Sequence, residues 1–295
     1  MTSSSSPSPP PIGRRRFLQA GLCGAAGVVL YPGEIERHWI DVTNREFFLR
    51  GLSPGMNGMR VVQLSDIHLD DFTEPYFLRQ VVDRVNRLQP DAVFLTGDYV
   101  SDILGNQKFS IGAAWQCAHI LSAIQCKRIY AILGNHDIAV DANQVTAALE
   151  ANGIPVLRNA CLPLDFSGSR IWLAGLDDIL EGHPDPDLAI PASIRNRPNE
   201  PVILLCHAPD YADILISHPA AKSVALMLSG HTHGGQVRLP FFGAVELPDW
   251  GRKYVEGAFR FGAMQLYVNR GIGTIGVPFR LNCPPEITVL TLRSA

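Results

Sequence analysis

Asp66-Ile67-His68, Gly97-Asp98, Gly134-Asn135-His136-Asp137, His207 and Gly230-His231-Thr232-His233 are the residues of this chain best placed to do chemistry. Each cluster follows an apolar run, at residues 60–64, 92–95, 129–133, 202–205 and 223–228. Short apolar runs of this kind read as buried strands, and open α/β sheets build ligand sites at the carboxyl ends of such strands. Five of the nine histidines fall in the clusters. Carboxylate, amide and imidazole donors without a thiolate suit Mn²⁺, Zn²⁺ or Fe. Asp66, His68, Asp98, Asn135, His136, His207, His231 and His233 are more side chains than one tetrahedral ion takes, so the set predicts a site for two metals.

The elements that position these clusters are legible in outline. Residues 38–49 read as an opening strand and 51–58 as a turn-rich link. Thr73 is the expected N-cap of a helix to Leu88, with Val81, Val82, Val85 and Leu88 on its apolar face. With the strands on either side it makes a βαβ crossover. Further helices are expected at 111–124, 143–151 and 211–216, and short strands at 155–176 around Gly168. Residues 184–201 read as a Pro-rich loop holding at most a short helix, and late strands are expected at 266–269 and 286–292. The Gly-, Pro- and aromatic-rich stretch 236–253 is expected to cover the site. This order predicts a layered α/β sandwich, not a simple doubly wound sheet.

With 295 residues, 46% of them hydrophobic, the chain can bury a full core. The expected division is a signal or anchor at 1–31, a lead-in strand and linker at 32–58, and one catalytic domain at 59–295. Formal net charge is −3, and Arg14, Arg15 and Arg16 all lie in the first segment. Without them 22 Lys+Arg face 28 Asp+Glu, a net of −6. An acidic body excludes an electrostatic footprint for nucleic acid. After residue 31 nothing approaches the ~20 apolar residues of a membrane span. The six cysteines show no C-x-x-C spacing and read as inert thiols, with Cys206 a packed small hydrophobe.

Residues 1–12 are rich in Ser and Pro and have no means of packing a core. Gly13-Arg14-Arg15-Arg16-Phe17-Leu18-Gln19 then leads into a Gly/Ala-rich apolar stretch ending at Leu30. A basic region before an apolar one is a secretory signal pattern. Its Arg-Arg-x-Phe-Leu core resembles the twin-arginine export signal, departing from it at Gly13, where Ser or Thr is common, and at Gln19, where Lys is. The resemblance implies the twin-arginine export machinery as a partner. It also implies a destination in the periplasm or on the outer face of the cytoplasmic membrane. No good A-x-A precedes Tyr31-Pro32-Gly33, so an uncleaved anchor, and with it membrane association, stays open.

In type and order the five clusters resemble those of the calcineurin-like metallophosphoesterases, over residues 66–233 and on to Pro284-Pro285-Glu286. Residues 230–236, 269–273 and 283–286 resemble the bacterial exported or membrane-associated branch. The resemblance implies an α/β/β/α sandwich with a single catalytic domain. It also implies one metal held by Asp66, His68, Asp98 and His233, and a second held by Asp98, Asn135, His207 and His231. Asp98 would bridge, since a carboxylate carries two oxygens. Such a pair of Mn, Fe or Zn ions, divalent or trivalent, generates hydroxide at neutral pH, so no Ser or Cys nucleophile is required. His136 resembles the family's catalytic histidine, a proton donor to the leaving oxygen, and Asp137 is expected to fix its tautomer.

The implied reaction is hydrolysis of a phosphomonoester or phosphodiester, lipid-linked substrates included. A pyrophosphatase acting on a nucleotide-linked or envelope lipid is the enzymatic alternative. A scaffold that keeps the fold without catalysis is disfavoured, because every ligand and His136 are present. Residues 181–187 and 238–253 are expected to set the substrate. In the latter, Leu239, Phe241, Phe242, Val245, Leu247 and Trp250 are expected to cap the core; exposed, they would instead meet a lipid tail or membrane surface. Alone, His207 would read as a structural histidine, and only the set makes it a ligand. His38, His119, His183 and His218 read as surface or packing residues, and Asp177-Asp178 as structural. Arg270 and Arg280 either bring a guanidinium to substrate phosphate or make an ordinary ion pair or turn.

Overall fold

Residues 61–64 are buried at every position, so this strand needs cover on both faces. In the computed structural model, which describes residues 30–69, 72–101, 105–195, 197 and 199–295, that cover comes from two stacked sheets flanked by helices. The first sheet holds β1 (Asp41–Leu49), β2 (Arg60–Leu64), β3 (Ala92–Leu95), β4 (Ile129–Ala131) and β13 (Glu286–Ser294), in the order β1-β13-β2-β3-β4. β2, β3 and β4 are parallel, while β13 runs antiparallel to β2 and parallel to β1. The second sheet comprises β5 (Ala160–Phe166), β6 (Ser169–Gly175), β7 (Val202–Leu205), β8 (Val224–Ser229), β11 (Gly257–Phe261) and β12 (Met264–Val268). Its order is β11-β12-β8-β7-β6-β5, with a parallel centre and an antiparallel strand at each edge. β9 (Arg238–Leu239) and β10 (Gly243–Ala244) form a separate hairpin.

Three apolar layers follow. Val61, Phe94 and Leu290 of the first sheet pack on Leu173, Leu205, Leu228 and Tyr267 of the second. The first sheet's outer face packs on α1 (Pro75–Leu88), α2 (Gln107–Leu121) and α3 (Asn135–Ala151), through Leu78, Val82, Cys117 and Leu149. On the far side, Leu204, Met227 and Leu266 are covered by the short helices Pro186–Ala189, Ala192–Arg195 and Ala212–Leu215. This is the expected α/β/β/α layering.

Local boundaries differ from expectation for physical reasons. α1 begins at Pro75, whose fixed φ is pre-set for the first helical position, so the N-cap is Glu74. Thr73 lies outside, its Oγ1 accepting from the Thr274 N–H at 3.4 Å. α3 starts at Asn135, not at 143, because Asp141 (ψ 99°) breaks it. The Asp141 carboxylate then accepts from the Asn143 and Gln144 amides at 3.0 and 3.1 Å, and that second start is the one the sequence displays. β11 went unread because it is an edge strand with no buried residue. The strand expected in a separate lead-in segment is β1, which pairs with β13 over nine positions and so belongs to the domain's own sheet. The five described cysteines are free. No described helix is long and apolar enough to cross a membrane. The reading of residues 13–29 as an export signal lies outside the described residues.

Candidate metal centre

The loops that leave the strands are laced to one another before any side chain is considered. Asp66 donates its backbone N–H to Gly97 O (2.9 Å), and Ile67 and His68 donate theirs to Asp98 O (2.7 and 3.0 Å). Across the second sheet, Gly230 donates to His207 O at 3.1 Å. Beneath the site the buried Gln63 Nε2 donates to Thr96 Oγ1 (3.1 Å) and to Ser229 O (2.9 Å), joining the two sheets. Five of the seven expected ligands then sit in left-handed backbone: Asp66 (φ 51°), His68 (44°), Asp98 (58°), His231 (71°) and His233 (51°). Side chains avoid this region, though Asp and His tolerate it better than most, and the cost is on the order of 1–2 kcal/mol per residue. Backbone strain gathered on one set of chelating residues marks a functional loop system.

These loops bring the side chains together as two groups. Asp66, His68 and His233 form one, Asp98, His207 and His231 the other, all buried. His68 Nε2 lies 3.1 Å from His233 Nε2 and 3.6 Å from Asp98 Oδ2, and His233 Nε2 lies 3.5 Å from Asp66 Oδ1. His207 Nε2 is 3.0 Å from Asp98 Oδ2. Asp98 therefore faces both groups through a single oxygen, while its Oδ1 accepts the His136 N–H at 3.0 Å. Asn135, the seventh expected ligand, starts α3, and its Oδ1 is buried without a hydrogen-bond partner.

Close packing forbids side chains at the glycines of the motifs. A Cβ on Gly134 would stand 2.2 Å from Asp98 Oδ1 and 2.7 Å from His207 Cε1, and one on Gly230 would stand 2.2 Å from Asp66 Oδ2.

The donor set fits cations. His207 Nδ1 donates to Thr96 O at 2.7 Å, since a carbonyl can only accept, and this turns Nε2 toward Asp98 as the nitrogen that could ligate once it holds no proton. By the same logic His231 Nε2 donates to Asp249 O at 2.8 Å and leaves Nδ1 free to ligate. Backbone carbonyls behind ligating imidazoles are the usual way of fixing the tautomer. Burial drives the His68 imidazole down to about 3 and that of His231 to about 4, so both rings are neutral, as ligands must be. Burial also raises the Asp66 carboxyl to about 6, against the pull of His207 and with the help of the neighbouring Asp98 carboxylate. Around His207, burial opposes a charge, yet the carboxylates of Asp98, Asp66 and Asp178 outweigh it and favour positive charge at this spot. Buried carboxylates, lone-pair nitrogens and an orphaned amide oxygen converging on two points are what a metal pair would satisfy.

Residues 59–235 match the family model for calcineurin-like phosphoesterases. The chain belongs to this family. YkuE of Bacillus subtilis, an uncharacterized metallophosphoesterase, is 36% identical over 290 residues, which covers 95% of this chain and 98% of that one. Phosphodiesterase YaeI of Escherichia coli is 31% identical over 289 residues, covering 95% and 99%. A transmembrane protein with a metallophosphoesterase domain from Danio rerio is 30% identical over 264 residues, covering 86% of this chain and 57% of its own length. The chain is a metal-dependent phosphoesterase, a hydrolase, with two potential metal-binding groups.

For Asp137 the expectation needs correction, and for Arg270 and Arg280 the structure decides between the two readings. Asp137 does not hold the His136 ring. Its carboxylate accepts from the backbone N–H groups of Asp98 (2.7 Å), Tyr99 (2.8 Å), Val100 (3.3 Å) and Gly134 (2.9 Å), so it clamps the two ligand loops. Arg270 pairs with Glu286 and Asp41, at 3.1 and 2.7 Å. Arg280 is fully buried behind the site, donating to Gly273 O, Cys283 O and Arg270 O, with one nitrogen 3.4 Å from His233 Nδ1. Neither guanidinium faces the cleft. Asp177 pairs with Arg158 at 3.0 Å, a structural role as expected.

His136 is half-buried, its ring edge-on to that of His68 at 5.1 Å, and it lines a cleft of about 360 Å³ together with Asp98, Asn135, His231 and His233. The opposite wall is Val237, Val245, Pro248, Ile275 and Val277, with Gln236 and Glu246. Sequence reasoning missed the backbone carbonyls of Thr96 and Asp249 that orient His207 and His231; main-chain acceptors leave no signal in residue type.

Proposed function

We propose that this phosphoesterase hydrolyses phosphodiesters that carry an apolar or bulky ester group. The observation behind this reading is the cleft wall. Among the described residues no Arg or Lys lines it, five residues of its far side are apolar, and its one acidic rim residue is Glu246. A monoester dianion is usually gripped by added guanidinium or ammonium groups, whereas a diester carries one charge fewer and a second organic arm that an apolar wall can hold. The Escherichia coli relative YaeI is named a phosphodiesterase, which supports the same reading.

Asp66, His68, Asp98 and His233 would hold one ion, and Asp98, Asn135, His207 and His231 the other. Bound there, two such ions would supply Lewis acidity to the phosphoryl oxygens and a water activated near neutral pH. His136 reaches into the cleft beside these groups and is placed to give its proton to the departing alkoxide. The apolar wall orients the ester arm and excludes water from it. The test compares a diester and a monoester of one leaving group, bis(p-nitrophenyl) phosphate and p-nitrophenyl phosphate. The expected kcat/KM ratio favours the diester by about tenfold or more, on the scale of one charge interaction lost or gained. A preference for the monoester would sink the reading.

We further propose that the enzyme acts outside the cytoplasmic membrane after twin-arginine export, on the strength of Arg14-Arg15-Arg16-Phe17-Leu18. Replacing Arg14 and Arg15 together by Lys keeps the charge and removes the receptor-read pair. The variant should stay in the cytoplasm in fractionated cells, and normal export would exclude this route.

A further inference from the structure

The stretch expected to cap the core does the reverse. Phe241 is 104% exposed and Phe242 86%, at the tip of the β9–β10 hairpin, with Leu239 (45%) and Val245 (63%) beside them. Residues 239–245 carry no charge. Phe241 has φ 70°, a genuine outlier for a bulky residue, so the tip holds both rings outward at a conformational cost. A soluble surface gains nothing from two fully exposed phenyl rings, and such a feature marks a binding surface.

The hairpin is continuous with the place where the upstream chain joins the domain. Arg238 donates its N–H to Leu281 O (2.9 Å), and Arg280 donates its N–H to Pro32 O (3.0 Å). Gly33 packs so tightly on the Phe279 ring that a Cβ there would lie 2.8 Å from it. Leu30, Tyr31 and Ile35, which are 55%, 43% and 52% exposed, thus belong to a segment that pairs with the same 280–281 stretch as the hairpin. Upstream of Leu30, residues 17–29 contain no charged side chain and follow Arg14, Arg15 and Arg16. On the other flank, Val245 and Val277 are at once exposed and part of the cleft wall.

We infer that this face docks on a lipid bilayer, with Phe241 and Phe242 inserted at the headgroup–acyl boundary and the cleft mouth held at the membrane surface. Exposed phenyl rings on an uncharged tip suit the apolar boundary region, where an amphipathic surface sinks about 5–10 Å. The apolar, basic-flanked sequence upstream of Leu30 offers a second attachment, and stable anchoring generally takes two. The docked cleft would meet phosphodiesters of the lipid headgroup region. That last clause rests on the phosphodiesterase reading, whereas the docking does not.

The test uses the full chain and vesicles of phosphatidylcholine, alone or with phosphatidylglycerol. In Phe241→Trp, lipids brominated near the headgroup should quench the added fluorescence beyond the quenching of the wild-type tryptophans. In Phe241→Ser with Phe242→Ser, vesicle binding should fall by about tenfold or more, the scale of removing two buried rings, with soluble-diester turnover unchanged. Vesicle-bound Phe241→Trp without extra quenching would overturn the inference, because the tip would then stay in water. So would a self-association that the double serine variant abolishes while Phe241→Trp is unquenched, since the rim would then serve a second copy. If the wild type turns over no diester at all, the functional reading fails and the quenching still decides the docking.

Discussion

Asp98→Asn is expected to lower bound metal from two ions to at most one, and to cut phosphoesterase activity by about 10³-fold or more, since metal ions supply several kcal/mol of charge stabilisation. Asparagine preserves the side chain's shape and an oxygen for the His136 amide, which the native carboxylate accepts at 3.0 Å. It removes the negative charge from the one side chain that faces both groups, 3.0 Å from His207 Nε2 and 3.6 Å from His68 Nε2. Burial by itself would push this carboxyl up, yet the imidazoles of His207, His136 and His68 hold it well below the usual range, so the native group is ionised. Elemental analysis after reconstitution, with a melting curve to show that the variant is folded, checks the outcome. Two ions and full activity would exclude a ligand role for Asp98 toward both groups.

The second large effect separates proton transfer from metal binding. His136→Ala should keep its metal, because His136 belongs to neither chelating group, and should lose about 10²–10⁴-fold in kcat, the usual contribution of a positioned general acid. The loss should depend on the leaving group. A diester of an alkyl alcohol needs its departing oxygen protonated and should show the full effect, whereas a nitrophenyl ester leaves without help and should show much less. An equal loss on both esters would point to binding rather than proton donation. No loss on either would exclude the role.

Much of this architecture is readable without coordinates, and the unread parts share one cause. The ligand clusters were visible because each is a short motif at the end of a buried strand, and the fold brings those strand ends together. What stays open or is misread in the sequence turns on partners distant along the chain. Arg270 is bound to Asp41, 229 positions away, so its ion pair has no local signature. Asp137 looked like a partner for its neighbour His136, but it faces amides in the loop after β3. Residues 239–245 have the composition of a core segment, and only the hairpin's placement shows that Phe241 and Phe242 point away from one. Edge strand β11 had no buried residue to announce it.

The place of β13 has a bearing on how the protein is made. It is the latest strand in the described chain, yet it is inserted second in its sheet, with Asp41 opposite Glu286 on one side and Gln63 opposite Thr288 on the other. During translation β1 and β2 emerge early and cannot complete that sheet until residues 286–294 have left the ribosome. Pairings of such long range are slow to form and leave strand edges open to wrong partners meanwhile. Domain-by-domain folding from the amino end, the common course for nascent chains, is closed to this sheet. The loop bearing Asp66 and His68 follows β2, so the first candidate group acquires its final frame only after synthesis has passed the last candidate ligand, His233, by more than fifty residues. The first sheet is in that sense finished late, and a chain stalled before β13 would carry every candidate ligand while the sheet beneath Asp66, His68 and Asp98 still lacked the strand that joins β1 to β2.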